Sequence, residues 1–157
     1  MADEDQASEP GQGISQLLEI RTLLLADRAE VLNGKLYMMG GALDTFYATT
    51  FPSVIIFGIA LVVAVPWNRT NEQIVLGMVI ETADGQELGK IDAPLTVGRP
   101  PQLGKGDEQL IAIAVPNINI VINQPGAFVA RSSLNGIPGP RSPFRVRQIG
   151  NPASASQ

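Results

Sequence analysis

The chain has 157 residues, 45% hydrophobic and 17% charged, with a formal net charge of −4 and neither Cys nor His. That size suits one domain able to bury its own core. The lack of imidazole and thiol excludes Ser-His-Asp and Cys-His nucleophile systems, thiol redox chemistry and zinc sites built on those ligands.

Charge is unevenly placed along the chain. Residues 1–19 hold Asp3, Glu4, Asp5, Glu9 and Glu19 and no base, so residues 20–157 set the other 10 acids against all 11 bases and are nearly neutral. Residues 1–13 and 150–157 are small and polar, too poor in apolar groups to offset the entropy of ordering. The expected organisation is a flexible acidic tail over 1–19, a domain over 20–149 and a flexible tail over 150–157. The acidic start does not resemble a secretory signal, which is basic and then apolar. A cytoplasmic protein without membrane contact is expected.

Residues 14–32 are rich in Leu, Ala, Glu and Arg, good helix formers, and Ser15 is placed to cap a helix. Asn33-Gly34 followed by Lys35–Met39 reads instead as the turn and second half of a hairpin. The sequence therefore predicts a strand over about 22–32, with at most one helical turn before it. The longest apolar run, Val54–Val65, has 12 residues between Pro52 and Pro66, short of the roughly 20 that a membrane helix needs. Its odd positions, Ile55, Phe57, Ile59, Leu61, Val63 and Val65, are all large, while Gly58, Ala60 and Ala64 are small. This predicts a central strand with one core face and a second face that is covered and closely approached.

Alternation continues downstream. Ile74, Leu76, Met78 and Ile80 share one face of 74–82; Ile111, Ile113 and Val115 share one face of 109–115. Ile118, Ile120 and Ile122 share the even face of 118–122. The closing segment 143–148 turns Phe144 and Val146 inward and Arg145 and Arg147 outward, the pattern of a last strand near an edge. Asn33-Gly34, Asp84-Gly85 and Asn135-Gly136 are tight-turn dipeptides. About eight short strands with no helix-period segment between them predict an all-β, antiparallel two-sheet β-sandwich, with a small closed barrel as the alternative.

The segment Leu24–Gly41, Pro66-Trp67-Asn68, Asp84-Gly85, Pro125–Phe128 and Phe144–Val146 together resemble an uncharacterised family of small bacterial proteins with an immunoglobulin-like β-sandwich. The likeness covers about 20–148. It implies that fold and a bacterial source, and supplies no catalytic residue.

Trp67, with Asn68 and Arg69 beside it, follows the most apolar strand. On a loop it would offer a flat apolar face with polar groups to orient a ligand; folded back, it would plug one end of the sandwich. If every turn reverses the chain, the connections near 33–35, 66–72, 98–107 and 135–142 fall at one end. That end would collect Lys35, Arg69, Arg99, Lys105 and Arg141 against Glu72 and Asp107, a positive rim suited to an anionic ligand. A reversal at Pro116 would move Arg141 to the opposite end. No carboxylate pair, calcium-loop pattern or phosphate loop stands out, so no cofactor and no metal is expected. The lack of a Lys/Arg run argues against duplex nucleic acid as partner. The expected function is a non-enzymatic interaction or structural module that binds a protein partner or itself. The alternative is a small-molecule or carbohydrate binding protein or hydrolase using the Trp67 loop.

Overall fold

The computed structural model describes residues 17–150. The expected tails lie outside the described residues except for 17–19 and 150, and so does Ser15. Ten strands run in chain order: β1 Glu19–Ala26, β2 Arg28–Leu32, β3 Lys35–Met39, β4 Thr45–Ala48, β5 Ser53–Pro66, β6 Gln73–Thr82, β7 Glu87–Thr96, β8 Glu108–Ile122, β9 Gly126–Leu134 and β10 Ile137–Gln148. A single 3₁₀ turn, Trp67–Arg69, follows β5, and no α-helix occurs among the described residues. Among the described residues no helix is long and apolar enough to cross a membrane.

The architecture is all-β, but with three sheets rather than two. A three-stranded sheet has the order β1-β5-β8, a five-stranded sheet the order β4-β10-β9-β6-β7, and β2 and β3 form a separate hairpin. The first two sheets face one another across the core. β5 lies in the middle of its sheet, and Ile55, Phe57, Ile59, Leu61, Val63 and Val65 are buried, as the alternation predicts. Opposite them lie Ile74, Leu76, Met78 and Ile80 of β6, Phe128, Ala130 and Leu134 of β9, and Phe144 and Val146 of β10. Phe46, Phe57, Phe128 and Phe144 form an aromatic cluster at one end of this core, with centroids 5.3 to 5.7 Å apart. Burying each such side chain stabilises the fold by about 1.5–3 kcal/mol.

The strand expected over 22–32 begins at Glu19 and breaks at Asp27 into β1 and β2, so 19–21 are extended rather than helical. The break lets β2 leave the sheet and cross its outer face. A Cβ on Gly58 would lie 2.8 Å from the Ala29 backbone nitrogen and 3.2 Å from the Pro116 carbonyl oxygen. Only glycine fits beneath the crossing backbone, which is the covered second face of β5 that its small residues predict. A third sheet thus arises because β1 stops pairing with β5 at Gly58 and the chain turns over that glycine, although β5 itself continues to Ser53.

Segments 109–115 and 118–122 are one strand, β8. Register shifts between Phe57 and Ile59, whose partners are Ile118 and Val115. The extra residue on β8 is a bulge that moves the core-facing set from odd to even positions. Pro116 therefore bends a strand and does not reverse the chain. β10 lies one strand in from the edge of its sheet, as its pattern suggests, and the edge strand β4 pairs with it in parallel over Thr45–Ala48, against the expectation of a wholly antiparallel arrangement. Both Asn-Gly turns have positive φ at both residues, 50° and 72° at Asn33-Gly34 and 49° and 79° at Asn135-Gly136, as a type I′ hairpin requires. At Asp84-Gly85 only the glycine does, with φ 89°.

Candidate functional site

Three connections share the end of the sandwich where β5 finishes: 67–72, 97–107 and the turn at 135–136. They are tied together by backbone hydrogen bonds, since the Trp67 N–H donates to the Asp107 carbonyl at 2.9 Å and the Asn71 N–H to the Val97 carbonyl at 2.7 Å. The Asn135 N–H donates to the Val75 carbonyl at 2.9 Å. Trp67 is half-buried there. The Arg99 guanidinium carbon stands 3.9 Å above its ring centroid and the Lys105 Nζ 5.7 Å from it. Arg99 also donates to the Thr70 hydroxyl at 2.7 Å and to the Trp67 carbonyl at 3.1 Å. The buried Thr70 hydroxyl donates in turn to that carbonyl at 2.7 Å.

Trp67 is therefore neither a core plug nor an open platform. Its face is taken by Arg99, a cation–π contact worth about 0.5–1 kcal/mol when exposed. Arg69 pairs with Glu72 at 2.7 Å, and the Asp107 carboxylate accepts from the Gly104 N–H at 2.8 Å to fix its own turn. Asn68 is exposed on the same 3₁₀ turn.

The structure does not bring all five expected cations to this end. Arg69, Arg99 and Lys105 are there. Lys35 sits at the tip of the separate β2–β3 hairpin. Arg141 lies inside β10 rather than in a loop, on the outer face of the five-stranded sheet and opposite Arg131. Lys35 escapes the simple alternation of ends because β2 leaves the sheet at Asp27. Arg141 lies within a strand because the turn is only two residues long and β10 starts at Ile137.

Near the same end Arg21 bonds to Glu19 at 3.3 Å and to Glu108 at 2.7 Å. Glu19 is in register with Ala64 and Glu108 with Pro66, so the guanidinium crosses β5 above the small Ala64. Glu19 first, then Glu108, hold it more firmly protonated than an ordinary arginine.

The surfaces that single-residue reasoning missed lie on the outward faces of strands. On the three-stranded sheet, Val54, Ile56 and Val121 are 57%, 59% and 54% exposed. Val54 is in register with Val121, and Ile56 with Asn119. Ile56 is two residues from Gly58, where the hairpin crosses, and the hairpin itself exposes Leu32, Tyr37 and Met39. The signal for this patch was present in the even positions of 54–65, where Val54 and Ile56 are large and Gly58, Ala60 and Ala64 small. At the opposite end a cleft of about 350 Å³ is lined by Asp84, Gln86, Asn123 and Gln124 above Phe128. Among the described residues no group of three or more Asp or Glu is placed to hold a metal ion.

A family model described as Family of unknown function (DUF6941) matches residues 21–147. Comparison with curated proteins gave no match. Among solved structures, the chain is similar to Pseudomonas fluorescens alkylpurine DNA glycosylase AlkC bound to DNA containing an abasic site analog. The identity is 15% and the TM-score 0.39, and the alignment covers 83% of this chain but only 30% of that one. A similarity at this level carries no argument about fold or activity.

Proposed function

The chain belongs to the family of unknown function DUF6941, and on that premise we propose that it is a non-enzymatic interaction module, engaging a protein partner or a second copy of itself through the outer face of the three-stranded sheet. The observation that supports this reading is the run of Val54, Ile56 and Val121, each more than half exposed on adjacent strands. Scattered exposed apolar residues are ordinary, but a contiguous set marks an interaction surface. The neighbouring hairpin extends the set with Leu32, Tyr37 and Met39. Sheet faces of this kind bind by covering apolar area, with aromatic and Met side chains at the centre.

The Trp67 end supports a small-molecule or carbohydrate site less well, because Arg99 already lies on the ring and the surrounding polar groups are bonded to one another.

Ile56→Glu tests the proposal. The position is exposed, so stability should change by no more than about 0.5 kcal/mol. Light scattering and pull-down from the native host are expected to show loss of the partner, or of the dimer mass, in the variant. A strictly monomeric wild-type protein that retains no partner would overturn the reading.

A further inference from the structure

We propose that the outer face of the five-stranded sheet is a docking surface for the acidic segment of this same chain, Asp3–Glu9. Arg131, Arg141, Arg145 and Arg147 all project from this face of β9 and β10. Register places Arg141 directly opposite Arg131, and Arg147 beside the outward Tyr47 of β4, which is 61% exposed. Like charges facing one another across a ladder are destabilising. Arg131 is neutralised by Glu81, with 2.9 Å contacts from both its Nε and its Nη2. Arg141, Arg145 and Arg147 enter no ion pair among the described residues. Three uncompensated arginines lie within about 20 Å along one strand, at ~3.3 Å per residue, in a chain with only 11 cations.

The complementary charge is on the same chain. Residues 1–16 hold Asp3, Glu4, Asp5 and Glu9 and no base. The described chain enters at Leu17 and Leu18, and Leu18 lines one cleft with Pro138, Gly139 and Pro140, immediately before Arg141. β4 flanks β10 only over Arg145–Gln148, leaving the 137–144 part of that edge free of β4 as a route to the outer face. From Leu17, an extended chain reaches at most about 29 Å to Glu9 and about 50 Å to Asp3, at ~3.6 Å per residue. Both spans exceed the length of the arginine row. Carboxylate–guanidinium pairs are charge-assisted and planar, and the Tyr47 hydroxyl adds a donor beside Arg147. The occupant is therefore an acidic peptide already tethered at the end of the row, which raises its effective concentration.

The chain lacks cysteine, so a spin label on Ala2→Cys is unique. In the full chain at low salt, broadening is expected at the amides of Tyr47, Arg145 and Arg147. It should be lost at about 1 M NaCl, where the Debye length is about 3 Å. It should also be lost in the Asp3→Asn, Glu4→Gln, Asp5→Asn, Glu9→Gln variant and in Arg145→Gln/Arg147→Gln. Broadening that spreads evenly, survives neutralisation or weakens on dilution would overturn the proposal, the last by assigning the contact to a second copy. A single-stranded oligonucleotide that binds this face equally well with and without the four acidic charges would assign the surface to nucleic acid and overturn it as well.

Discussion

The two main layers of this protein turn opposite chemistries to solvent. The three-stranded sheet shows Val54, Ile56 and Val121; the five-stranded sheet shows Arg131, Arg141, Arg145, Arg147 and Tyr47. Both faces follow from the same period of two, which commits one side of each strand to the core and leaves the other free to carry function. The end loops behave differently. At Trp67 the aromatic face, the cations and the buried hydroxyl are satisfied by one another. The proposed interaction surfaces are therefore strand faces, whereas the groups of the Trp67 loop cluster are engaged with one another.

The largest perturbation of that contrast is expected from Gly58→Val. A side chain there meets the backbone of Ala29 in the hairpin and of Pro116 in β8, so that either the hairpin lifts from the sheet or β8 is displaced at its bulge. Overpacking of this kind costs about 1–3 kcal/mol, to be read from urea unfolding, and the freed outer face should increase binding of a hydrophobic dye. An unchanged unfolding midpoint would show that the hairpin is not held at this crossing.

Arg99→Ala comes next, at about 1–2 kcal/mol, from a lost cation–π contact and two hydrogen bonds. Trp67 is the chain's only tryptophan, so its fluorescence reports the site directly and should become more accessible to a soluble quencher. Unaltered quenching would mean that the ring is sheltered by something other than Arg99. The smallest effect is expected from Glu81→Ala, which leaves Arg131 facing Arg141 without its carboxylate. About 0.5–1 kcal/mol should be lost at low salt, and less at ~1 M NaCl, where charges are screened. A loss that does not depend on salt would argue that Glu81 acts through packing.

What the sequence made legible was the core, because alternation survives any topology. Ile55 to Val65 and Ile74 to Ile80 face inward as their spacing requires, and both Asn-Gly pairs form the turns their backbone freedom suits. Placement of charged residues was less legible because it depends on what happens between strands. Asp27 breaks a strand that composition alone renders continuous, and this carries Lys35 onto a third sheet. The bulge at Pro116 lets one strand switch parity where two had been expected. Arg145 and Arg147 point outward as the alternation requires, but the parallel partner beside them, β4, has only four residues, too short an alternation to announce itself. The stacking of Arg99 on Trp67 joins residues 32 positions apart and has no local signal.

Site-specific photo-crosslinking from the two regions compares face with loop in one experiment. With benzoylphenylalanine at position 121, on the apolar face, or at position 69, on the Trp67 end, the account predicts crosslinks to another chain from 121 and none from 69. Crosslinks from 69 with none from 121 would contradict it.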